Sequence, residues 1–103
     1  MQPGEDPVLD LYGKEAYNLY NQLKEIIPGF MEIDRSLLTM YISQLMHKKE
    51  LEEKIKNAEN EQHEKLLKDI LLDIEENILS GASQLGLTPE SRLKIEKHLK
   101  KKG

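Results

Sequence analysis

The chain has no cysteine and no tryptophan, and it has a single phenylalanine. Without thiols it can form neither a disulfide framework nor a thiolate metal site, which suits a reducing compartment. The absence of indoles and the single phenyl ring point away from a large aromatic core. Nor is there a glycine or proline from Met31 through Leu79, so nothing in that stretch forces the backbone to break. No apolar run approaches the roughly 18 residues that cross a bilayer, and the N-terminus lacks the basic-then-apolar order of a secretory signal. These absences predict a cytosolic protein with no membrane contact.

What the sequence does contain suits helices. Leu, Ile, Glu and Lys are abundant and 33% of the residues are charged, a composition with high helix propensity. A chain of 103 residues is most simply one domain. At that size folding hides only about 60 to 65% of the surface an unfolded chain exposes, so the core is thin. The expected class is all-α: about four helices, with a long antiparallel helical hairpin between a short N-terminal helix and a short C-terminal one.

Charge is divided unevenly along the chain. From Glu90 to the end there are six Lys/Arg against two Glu, a local +4, so a net charge of −4 leaves −8 on residues 1–89. A phosphate-bearing partner would be drawn to the end and repelled by much of the rest.

Periodicity places the elements. "MQPGEDPV" carries two prolines, a glycine and two acids with little to bury, which predicts a disordered arm over 1–9 ahead of one helical domain over 10–103. Ala16, Tyr20, Leu23 and Ile27 recur at helical spacing until Pro28-Gly29 ends the pattern. Asp34 stands where an N-cap acid belongs, with Ile33 and Leu38 at the two positions of a hydrophobic staple, so the next helix should start at about Arg35. Its stripe runs through Leu38, Ile42 and Leu45 and continues weakly through Leu51, Ile55 and Ala58. A continuous helix from 35 to 85 would be about 75 Å long. The polar stretch "KNAENEQHEK" instead favours a turn near Asn57 to Gln62.

The next stripe is the most regular: Leu67, Leu71, Ile74, Ile78, Ala82 and Leu85. Stripes this long exceed what a small protomer is expected to cover, which points to self-association, with Leu67, Leu71, Ile74 and Ile78 as the candidate interface.

"LGLTPESRLKI", residues 85–95, compresses a stop, a corner and a restart. Gly86 stands where a left-handed residue is wanted, and Leu87 where an apolar residue folds back on the last turn. Thr88 is placed to cap the next helix, Pro89 presets its first φ, and Glu90 suits the positive end of its dipole. Gly86, Thr88 and Pro89 thus form a structural corner ahead of a terminal helix over roughly 89–101. Leu93, Ile95 and Leu99 could dock that helix on the body. On the other side stand Arg92, Lys94, Lys97 and Lys101.

The corner carries a resemblance. "QLGLTPESRLKI" resembles the C-terminal signature of a family of phage terminase small subunits. The segment from Tyr17 to about Glu61, with the turn "IPGFMEID" and the stripe "LLTMYISQL", resembles the same family. The resemblance implies a non-catalytic, oligomeric subunit in the bacterial host that recognises double-stranded viral DNA. It also implies delivery of that DNA to a terminase large subunit that holds the catalytic activities. An acidic arm stands where a basic or proline-rich leader is expected, leaving the basic terminal helix as the DNA-contacting candidate: Ser91, Arg92, Lys94, Lys97 and Lys101. A helix, a glycine-bearing turn and a second helix is also the outline of a helix-turn-helix. The plain reading of the same lysines is a solvated end that complements the helix dipole.

Nothing in the sequence calls for a cofactor or an active site. His47, His63 and His98 are isolated, whereas a metal site needs three or four converging ligands. Asp69, Asp73, Glu75 and Glu76 read as a solvated face. Tyr12, Tyr17, Tyr20 and Tyr41 read as packing residues. The alternative class of function is a helical adaptor whose stripe binds another protein and whose lysines have no specific target.

Overall fold

A computed structural model describes residues 1–87 together with Glu90, Leu93 and Lys97. These residues form an all-α protein with four helices. The order is α1 (Pro7–Asp10), α2 (Lys14–Ile26), a 3₁₀ turn (Glu32–Asp34), α3 (Arg35–Lys56) and α4 (Glu61–Gln84).

The α2 stripe is buried as its spacing predicts: Ala16, Tyr20, Leu23 and Ile27 all lie in the core, joined by Tyr17 and Leu19. The helix ends where Ile27 turns to extended backbone, one residue before Pro28, because a residue preceding proline is pushed out of the helical region. α3 starts at Arg35 as expected, but by a different device. Asp34 makes no side-chain cap on α3; its Oδ2 instead accepts from the Met31 N–H at 3.0 Å, closing the 3₁₀ turn backwards. The staple is also absent, since Ile33 is 85% exposed while Leu38 is fully buried. The 3₁₀ turn rotates residue 33 away from the helix that residue 38 anchors.

α3 and α4 are separate helices joined by residues 57–60. Asn57 ends α3, and Asn60 caps α4 by accepting from the His63 N–H at 2.8 Å. The two helices run in opposite directions, as the four-residue connection and a contact between Tyr41 and Gly81 show. Near the start of α3 the Tyr41 ring lies so close to Gly81, near the end of α4, that a β-carbon there would sit 3.1 Å from Tyr41 Cδ1. Along this seam Leu38, Tyr41, Ile42, Leu45 and Leu51 of α3 and Leu67, Ile74, Ile78 and Ala82 of α4 are buried in one continuous core.

Residues 1–9, expected from composition to be an arm, include α1 and a buried leucine. Asp6 accepts from the Val8 and Leu9 N–H groups at 2.9 and 3.1 Å and Pro7 begins α1, an N-cap followed by proline at the first helical position. Leu9 then inserts into the core with no exposed surface. The buried leucine and the cap are two of the interactions that a segment of this composition makes.

Candidate functional site

The corner after α4 has the expected geometry as far as it is described. Gly86 has φ +74°, its N–H donates to Ser83 O at 3.1 Å, and the Leu87 N–H donates to Ala82 O at 2.9 Å. This pair of bonds is a Schellman motif, which satisfies the carbonyls a helix end leaves open. Leu87 folds back and is buried with Ala82 and Leu85. Thr88 and Pro89 lie outside the described residues, so the second half of the corner has no structural description.

Of the residues predicted to contact DNA, Ser91, Arg92, Lys94 and Lys101 also lie outside the described residues. Lys97 is described and exposed. Leu93, expected to dock against the body, is 57% exposed.

The α4 stripe faces inward. Leu67, Ile74 and Ile78 are buried against α3 within one chain and Leu71 is half-buried. The core of the hairpin therefore consumes the stripe that the spacing offers to a second copy. Large apolar residues remain exposed beside it. Leu66 and Ile70, one helical turn apart, are 60% and 40% exposed; Leu72 and Leu79, two turns apart, are 59% and 56% exposed. They form two short ridges on α4, with Asp69, Asp73 and Glu76 exposed among them.

A network that sequence reasoning missed ties the N-terminal segment down. The Tyr17 hydroxyl accepts from the Asp6 N–H at 3.0 Å and donates to the Asp10 carboxylate. That hydrogen bond, followed by one from the Gly4 N–H at 2.9 Å, holds the Asp10 carboxyl below its ordinary range. Burial, reinforced by the bond to Asp10, pushes the Tyr17 phenol up. Arg35 reaches back from the first turn of α3, donating to Glu5 O at 3.2 Å and lying 3.6 Å from Asp6 Oδ2 and 3.4 Å from Glu32 Oε1. Farther along, Lys49 pairs with Glu15 at 3.0 Å and links α3 to α2. Asp6-Pro7 was the legible signal for this network, an N-cap acid directly before a proline.

Leu11, Tyr12, Glu15, Met46, Lys49 and Glu50 line an open groove between the α1–α2 turn and α3. Burial, then the nearby Glu50 charge, raises the Tyr12 phenol. The groove has no converging nucleophile and base, and among the described residues no three His, Asp or Glu side chains approach closely enough to hold a metal ion. None of the described helices is long and apolar enough to cross a membrane.

Residues 14–102 match the family model described as phage terminase, small subunit. The chain belongs to that family. The match takes in α2, α3, α4, the Gly86 corner and nearly all of the basic end. It begins at Lys14, so the terminase-like region excludes the Leu9 segment and its Asp6 cap. No curated protein and no solved structure matches the chain.

Proposed function

We propose that this terminase small subunit is a non-catalytic DNA-recognition component of viral packaging. It acts in the cytoplasm of the bacterial host, binds double-stranded viral DNA as a homo-oligomer and delivers it to the terminase large subunit. The family match over 14–102 carries the reading. The charge division supports it, because +4 on the last fourteen residues offers the one strongly cationic segment of an otherwise acidic chain.

DNA contact is assigned to the basic end, with Lys94, Lys97 and Lys101 neutralising phosphates and Ser91 and Arg92 near its start available to base edges. The test is a titration of duplex DNA across a series of salt concentrations, for the wild type and for Lys94→Gln, Lys97→Gln, Lys101→Gln combined. The slope of log affinity against log salt should fall by up to about 0.9 per lost phosphate contact. An unchanged slope removes the basic end from DNA binding.

Self-association is assigned to the surface α4 leaves uncovered. Leu67, Ile74 and Ile78 face α3, so a second copy would meet Leu66, Ile70, Leu72 and Leu79. The same ridges favour the second reading, an assembly adaptor that binds a different protein. Gel shifts separate the two: a complex with viral DNA that any polyanion competes away equally well favours the adaptor.

A further inference from the structure

The turn between α2 and α3 presents apolar side chains that its own folding does not use. Phe30 is the residue of the turn that packs: its ring meets Tyr20 edge-on, with 6.2 Å between centroids, and it lies partly buried against the core. Met31 and Ile33 stay 64% and 85% exposed. Polar bonds fix the backbone that carries them. The Met31 N–H donates to Asp34 Oδ2 at 3.0 Å and the Asp34 N–H donates to Met31 O at 2.8 Å. Arg35, which bonds Glu5 O, pairs with Glu32 at 3.4 Å. Single exposed aliphatic residues are ordinary on a protein surface. Two of them held on one three-residue turn by polar bonds are a different case, because the cost of ordering them is met before a partner arrives. Ile26, 50% exposed on the last turn of α2, adds a third.

The charge beside them is negative. From Glu25 through Asp34 there are three acids and no Lys or Arg. Asp34 is consumed in closing the turn, while Glu25 and Glu32 remain exposed. The flanking cations are Lys24, which is exposed, and Arg35, already engaged by Asp6 and Glu32.

We infer that this turn is a docking site for a protein partner that carries an apolar stripe flanked by Lys or Arg, such as a basic amphipathic helix. Met31 and Ile33 pack on the stripe, and Glu25 and Glu32 face the flanking cations. Nucleic acid does not suit the site, since carboxylates repel phosphates and aliphatic side chains find no counterpart on them. A second copy suits it poorly. Residues 1–87 carry 17 Asp/Glu against 9 Lys/Arg, and the open groove beside Tyr12 sets Glu15, Glu50 and Glu53 against Lys49 and Lys54. The basic stretch 88–103 is assigned to DNA above; excluding it as the occupant rests on that reading, whereas the docking site does not.

The test follows backbone amide shifts of the full chain during titration with a synthetic amphipathic helix of leucine and lysine. Two control peptides replace its lysines with glutamate or its leucines with serine. The leucine-lysine peptide should move the Met31, Glu32 and Ile33 amides ahead of all others, and both controls should bind about tenfold or more weakly. Ile33→Ser should weaken binding about tenfold, the order expected when one large aliphatic side chain is no longer buried. Glu25→Gln, Glu32→Gln combined should weaken it at low salt. Both variants change exposed side chains, and the same spectra should show the remaining amides unmoved. Equal binding by the serine control, larger shifts at Leu66, Ile70, Leu72 or Leu79, or an affinity unchanged in Ile33→Ser would each overturn the site. Turn amides that shift with protein concentration alone would give the turn to a second copy and overturn the assignment to a different protein.

Discussion

At the scale of single residues, Tyr17 does more than fill space. Its ring is buried, and its hydroxyl serves both the Asp6 N–H and the Asp10 carboxylate, so one side chain of α2 holds both ends of α1. Tyr17→Phe keeps the ring and deletes the hydroxyl, leaving the Asp6 N–H without its acceptor. The pH dependence follows from the two shifts. Asp10 is lowered in the folded state, so its contribution is complete above the unfolded carboxyl value of about 3.9 and disappears as pH falls through the folded one. Tyr17 is raised, so its contribution is complete below about 10 and disappears as pH climbs through its folded value. Thermal melts of Tyr17→Phe should therefore show a lower midpoint at neutral pH and a flatter decline at both the acid and the alkaline limb. A variant that retains the wild-type limbs would show that the Asp10–Tyr17 pair does not hold the segment.

At the scale of elements, the hairpin depends on an approach that only a small residue allows. Gly81 lies inside a helix, where glycine is unfavourable by about 1 kcal/mol relative to alanine. The Tyr41 ring takes the space a side chain would need. Gly81→Val would drive a branched side chain into that ring and should destabilise the fold by about 1–3 kcal/mol, measured by urea unfolding. Unchanged stability would mean that the helices can separate at this point without cost. None of this is visible in a linear pattern, because a glycine on an apolar stripe gives no sign of which ring faces it. Other features were legible. The Asn57–Asn60 connection follows from a polar run with two asparagines, and Gly86 with Leu87 forms the helix stop its sequence describes. The Ile33–Leu38 staple was read from spacing, yet three residues of 3₁₀ turn change the phase between the two positions. The expectation of an arm over 1–9 came from composition averaged over the segment, which gives no weight to the buried Leu9 or the Asp6-Pro7 cap.

At the scale of the whole molecule, the question is where a thin helical body directs its remaining apolar surface. Periodicity identified the α4 stripe correctly but could not tell which partner it meets, since a helix within the chain and a helix of a neighbour demand the same spacing. The structure turns Leu67, Ile74 and Ile78 toward α3 and leaves Leu66, Ile70, Leu72 and Leu79 outside. The basic end, assigned to DNA, was legible as charge. The proposed function is that of a small helical subunit working as an assembly on DNA. Sedimentation equilibrium over a concentration series tests it most directly. A defined multimer of the 11.9 kDa chain that dissociates in Leu72→Glu, Leu79→Glu is the predicted result. A wild type that sediments at 11.9 kDa at every concentration, with and without duplex DNA, would contradict it.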